Sequence, residues 1–204
     1  KPALEDNNYL NANINELRIW NKAITFSDII SKKGQLLSGT EESLIAYWAL
    51  DEGYGNIARD RAGSHNLILN TGWQIDLENF AVEFDSTAKQ DIMLNGRSFV
   101  INDEKNATIE FWFKAAQQSS KSCILYNGIL DYDWESGPAP TFGIYLEPTG
   151  KISVEYKKVN TVVVNEDVCD NNWHHFALVL DRLSNVRTYV DGLLKSQQDK
   201  SLFD

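Results

Sequence analysis

The sequence predicts an all-β fold, an antiparallel two-sheet sandwich with one short helix near the N-terminus. Three observations carry this expectation. Residues 172–194 read as a β-hairpin: Phe176, Leu178 and Leu180 are apolar at every second position, 181–185 carries turn chemistry, and Val186 and Val190 then alternate with Arg187, Tyr189 and Asp191. Residues 108–114 alternate cleanly, with Ile109, Phe111 and Phe113 inward and Glu110, Trp112 and Lys114 outward. Finally, short apolar runs separated by turn residues recur at roughly the eight-to-twelve-residue spacing of sandwiches and barrels.

In chain order, 1–13 is polar and Asn-rich and reads as a loop. Residues 14–20 alternate as a strand, with Leu17 and Ile19 on one face and Arg18 and Trp20 on the other. Thr25 then caps a helix with Asp28 three residues on; Phe26, Ile29, Ile30 and Leu37 share one side before Gly39 ends the run. A strand over 44–50 leads into a turn-rich stretch, where Gly53, Gly55 and Gly63 supply permissive backbone and Asp51, Asn56, Asp60 and Asn66 can bond nearby amides. Further strands are expected at 81–84, 92–94, 124–126, 141–146, 151–156 and 161–164, with Pro148, Thr149 and Gly150 turning between two of them. After Leu194 the chain becomes polar.

Several stretches carry a family resemblance. W-H-H-F-A-L-V-L-D from Trp173, followed by Y-V-D-G from Tyr189, resembles the central hairpin of the laminin-G-like jelly roll, within the concanavalin A-like sandwich family. E-L-R-I-W-N-K-A-I-T from Glu16, with the helix after it, resembles the terminal strand and closing helix of that domain, yet stands at the start. A-Y-W-A-L-D-E-G-Y-G-N from Ala46 resembles the first strand and its turn; Ala62 and Ser64 depart from the family's D-x-S-G-N-G. The chain is therefore expected to divide into a strand-and-helix segment, 1–43, packed on a jelly-roll domain, 44–204. A leading strand that fills the open slot of the sheet would cover a costly edge, within the chain or by exchange between chains. The absence of an initiator Met adds the expectation of a piece cut from a larger protein.

Composition bounds the function. The formal net charge of −10 disfavours nucleic acid and anionic membrane as partners and suits neutral sugars, basic partners or calcium. No apolar run reaches the roughly 18 residues of a membrane helix. With two cysteines, Cys123 and Cys169, a thiolate zinc site is not on offer, and a disulfide and two free thiols both stay open.

Two candidate sites stand out. On the outer sheet face Trp112, Tyr189 and Arg187, with Glu110, Lys114 and His175, would form a shallow groove for stacking and hydrogen bonding a sugar, unless the helix lies over them. Trp48 and Trp173 are read as core. In the loop 127–140, Asp131, Asp133 and Glu135 alternate with Tyr132 and Trp134, so an extended loop aims three carboxylates one way, as calcium ligands, and two rings the other, as a sugar platform. The alternative is a solvated loop with its rings tucked onto the sandwich. The E-x-D-x-x-E pattern of catalytic relatives is missing, and His174 and His175 point to opposite faces of a strand without a nucleophile motif. The resemblance thus implies a non-catalytic binding or adhesion module of a secreted or cell-surface multidomain protein. It would be directed at carbohydrate or an extracellular protein, calcium-assisted, and flanked by neighbouring repeats. A spacer without a ligand is the alternative reading, and a glycoside hydrolase the remote one.

Overall fold

A computed structural model describes residues 9–75, 80–94, 105–127, 142–156 and 159–199. Its strands in order are β1 (Ala12–Trp20), β2 (Leu44–Trp48), β3 (Ile57–Ala58), β4 (Leu67–Asn70), β5 (Gly72–Ile75), β6 (Phe80–Phe84), β7 (Asp91–Leu94), β8 (Ala107–Ala115), β9 (Ser122–Asn127), β10 (Phe142–Leu146), β11 (Ile152–Tyr156), β12 (Val159–Val164), β13 (Trp173–Leu180), β14 (Asn185–Val190) and β15 (Leu193–Asp199); a helix, α1 (Phe26–Lys32), follows β1. Among the described residues the large sheet runs β15-β14-β13-β8-β1-β6-β5, with β2 also paired to β1. Two smaller sheets, β12-β11-β10-β9 and β3-β4-β7, complete the architecture, and every pairing is antiparallel.

The period-two reading holds where it was cleanest. Ile109, Phe111 and Phe113 of β8 and Phe176, Leu178 and Leu180 of β13 all enter one core cluster. Ile144, Leu146, Ile152, Val154 and Val164 from the second sheet and Leu67 and Leu69 from the third enter the same cluster. Turn chemistry behaves as expected in the hairpin: the Asp181 carboxylate accepts from Leu183 N at 3.1 Å and Ser184 Oγ at 2.7 Å.

The leading strand lies inside the large sheet of its own chain. All of β1 runs beside β8, while its other edge is shared: Ala12 to Ile14 pair with β6, and Leu17 to Trp20 with β2. Glu16 sits at the change of partner with φ 55°, and its amide donates to Ala49 O at 3.3 Å. This is a bulge that re-aims the side chain of a non-glycine residue.

A second apolar cluster lies on the opposite face of the large sheet. Trp20, Ile24, Ile29, Leu37, Tyr47, Ala177, Val179 and Tyr189 belong to it, with Ile29 wholly buried. The Thr25 capping box is present as expected, its hydroxyl accepting from Asp28 N and the Asp28 carboxylate from Thr25 N. The helix ends at Lys32 rather than reaching Gly39, because Lys33 caps it and 33–35 turn away. Leu37 still reaches the cluster, while Phe26 and Ile30 remain exposed.

Four strands were not anticipated: β3, β4, β5 and β15. Two-to-four-residue strands hold too few positions for a periodicity. The β15 sequence, LLKSQQD, is polar because it forms the margin of the sheet, exposed or half-buried along its length. Both cysteines are free thiols, Cys169 buried and Cys123 half-buried.

Candidate ligand groove

Three outward positions of β8 hold down the end of β1 and the segment that follows it. Thr108 Oγ1 accepts from Ile24 N at 3.1 Å and donates to Lys22 O at 2.8 Å. Glu110 Oε1 accepts from Trp20 Nε1 at 3.0 Å and Arg18 Nη1 at 3.4 Å. Trp112 Nε1 donates to Lys33 O at 2.6 Å. Much of the outward face of β8 is therefore covered, as in the alternative that the helix segment lies over it, and Glu110 is 0% exposed.

A buried charge is tolerated only when paired and hydrogen-bonded; the charges of this cluster are paired, while Arg18 Nε and Glu110 Oε2 stay buried without a hydrogen-bond partner among the described residues. Besides Glu110, Arg18 donates from Nη1 to Lys32 O at 2.9 Å, and from Nη2 to Glu16 Oε2 at 2.6 Å and Gln35 O at 2.5 Å. Burial alone would raise the Glu110 carboxyl, but the neighbouring His175 and the charge of Arg18 overcome it and hold the group below its ordinary value. At Glu16 the balance falls the other way: burial raises the carboxyl despite Arg18 and the Tyr47 hydroxyl, which donates to it at 2.9 Å.

Where the covering segment turns away after Lys33, a groove of about 510 Å³ opens, in the size range of ligand sites. Its lining includes Glu16, Arg18, Gly34, Asp51, Trp112 and Trp173. Trp112 stands opposite His175 on β13, and Trp173 opposite Lys114 on β8, so the two indoles are diagonal neighbours on one sheet face. Both are half-buried. At Gly34 no atom lies within 4 Å of where a Cβ would stand, so this stretch of the wall is bare backbone.

Trp173 is carried by a tethered segment. The His174 ring bridges two carboxylates, Asp191 Oδ2 at 2.8 Å from Nδ1 and Asp170 Oδ1 at 3.0 Å from Nε2. Asp191 also accepts from His175 N at 2.9 Å, and its carbonyl accepts from Lys33 Nζ at 3.1 Å. One chain of contacts thus links the loop before β13, the β14–β15 turn and the groove wall.

Of the residues proposed from sequence, Trp112 lines the groove. Tyr189 is buried beneath α1, its ring centroid 6.1 Å from that of Phe26. Arg187 is half-buried with Nη2 3.6 Å from Asp181 Oδ2, and neither joins the groove lining. Tyr132, Trp134, Asp131, Asp133 and Glu135 lie outside the described residues. Among the described residues no group of three His, Cys, Asp or Glu side chains is gathered as a cation site. The sequence reading missed Trp173, Glu16, Arg18, Gly34 and Asp51. Strand parity would have found Trp173, which shares the outward face of β13 with His175.

A family model of the concanavalin A-like lectin/glucanases superfamily, of the laminin-G type, matches residues 85–202. No curated protein matches the chain in sequence. The crystal structure of the binding domain of Paraclostridial Mosquitocidal Protein 1 shares the fold, with a TM-score of 0.52 at 15% identity over 72% of this chain. The present chain spans 39% of that one. The matched span begins after β6 and takes in β7 to β15, so β1, the central strand of the large sheet, comes from outside it. With an all-antiparallel sandwich and a family match over more than half its length, the chain belongs to the concanavalin A-like lectin/glucanases superfamily, as a laminin-G-like domain.

Proposed function

We propose that the chain is a non-catalytic carbohydrate-binding module of a secreted or surface-attached protein, with its site in the groove beside Gly34. The observation that carries the reading is the pair of half-buried indoles, Trp112 and Trp173, on one sheet face at the groove. Flat aromatic surface offers stacking to the C–H face of a sugar ring, and the side-chain amides and open backbone around it offer hydrogen bonds to hydroxyls. Support of a coarser kind comes from the fold neighbour, which is itself a binding domain.

Retention on a glycan array tests the reading. The wild-type chain is expected to hold a subset of oligosaccharides, and Trp173→Ala and Trp112→Ala to weaken retention by about tenfold or more, the loss of a stacked ring. Trp173→Ala is the cleaner probe because Trp112 also holds Lys33. Unchanged retention in both variants would remove the groove from the account.

A further inference from the structure

Building on the carbohydrate reading, we infer that the groove selects uncharged glycans and rejects acidic ones, because the guanidinium and both carboxylates lining it are held in ion pairs within the protein and the Lys33 ammonium is turned to Asp191 O and the Trp112 ring. Two carboxylates and two cations line the groove: Glu16, Asp51, Arg18 and Lys33. Arg18 is 1% exposed, and its two terminal nitrogens are committed to Glu16, Glu110 and the carbonyls of Lys32 and Gln35. Its cation is spent on closing the turn after α1. Lys33 Nζ is drawn to Asp191 O and sits 5.8 Å from the Trp112 ring centroid. Asp51 receives Arg61 Nη2 on both oxygens at 2.7 Å, and Glu16 receives Arg18 and Tyr47.

An acidic sugar entering this space meets no unengaged guanidinium and lies beside two carboxylates, in a chain of net charge −10. An amine-bearing sugar meets Arg18 and Lys33 and finds both carboxylates taken. A neutral ring needs only the indoles, the hydroxyl-accepting oxygens and the open backbone at Gly34. Gly34 thus acts as the entrance: a large side chain there fills the groove without meeting packed atoms.

The test applies the 204-residue chain to immobilised neutral gluco-, manno-, galacto- and xylo-oligosaccharides, and to heparin fragments and oligogalacturonates, at low and high salt. Retention of a neutral member with little salt dependence is expected, with acidic members about tenfold weaker or absent. Gly34→Trp should abolish retention while leaving the melting temperature unchanged. Asp51→Asn, which strips Arg61 of its partner, should raise retention of the acidic members relative to the neutral ones. Preference for heparin or oligogalacturonate, or a steep fall in retention with salt, would overturn the selectivity while leaving carbohydrate binding standing. Retention of no glycan by the wild type would remove both.

Discussion

Arg18 and Glu110 meet at 3.4 Å beneath the segment that covers the large sheet, with side chains 1% and 0% exposed. Neither would be stable there alone. Arg18→Met is expected to cost about 3–5 kcal/mol in urea unfolding, since it strands Glu110 and Glu16 without their counter-charge. Adding Glu110→Gln should recover a good part of that loss. A cost below ~1 kcal/mol for the single variant would mean that water reaches the cluster and supports the carboxylates.

The His174 bridge gives stability a pH dependence. Burial alone would lower this histidine, but the hydrogen bonds it donates to Asp191 and Asp170 outweigh it and raise the group above its ordinary value. A raised histidine contributes stability that is whole below its unfolded pKa of about 6.5 and is lost as pH rises through the folded value. Asp170, lowered to about 2 by Asn172 first and His174 after it, acts oppositely: its contribution is whole above the unfolded carboxylate range and is lost as pH falls toward that value. Melting temperature should therefore decline on the alkaline side of about pH 6.5, and His174→Gln should flatten that limb. An identical alkaline limb in the variant would assign the decline elsewhere.

Two glycines make opposite predictions. Gly39 holds φ +89°, and a Cβ there would stand 2.0 Å from Arg61 O, so Gly39→Ala should cost ~2 kcal/mol or more. Gly34→Ala meets nothing within 4 Å and should change stability by no more than about 0.5 kcal/mol. Chemical denaturation of both variants compares them directly.

The thiols should be silent in the native protein. Desolvation pushes Cys123 up to about 12 and Cys169 up to about 11, leaving little thiolate near neutral pH. A chromogenic disulfide reagent is expected to react at least about tenfold more slowly with the folded chain than with the chain in denaturant, where both thiols titrate normally. Rapid native reaction at Cys169 would contradict its burial, and at Cys123 the desolvation of its thiol.

Much of this architecture was legible from residue alternation. Ile109, Phe111 and Phe113, and their partners across β13, announce their inner face because the inner face is uniformly apolar. The outer face misleads for a physical reason. Glu110, His175 and Arg18 are types that ordinarily face water, yet they lie buried and are paired with one another across strands, Arg18 and Glu110 some ninety residues apart in sequence. Local periodicity has no access to that pairing. The groove was only half-visible on the same account: Trp112 betrays itself by opposing Phe111 and Phe113, whereas Gly34 matters for what it leaves empty. Asp60 was legible in kind: it does bond nearby amides, accepting from Tyr47 N, Ala62 N and His65 N at 3.0 Å each.

The placement of β1 also bears on how the protein reaches its native state. Ile14 lies opposite Phe113 in the register, so β1 must wait for a partner synthesised about a hundred residues later. The β13–β14 ribbon can close from neighbouring residues, but the middle of the large sheet cannot. Such distant pairing favours slow maturation, on the millisecond-to-second scale of β-rich domains.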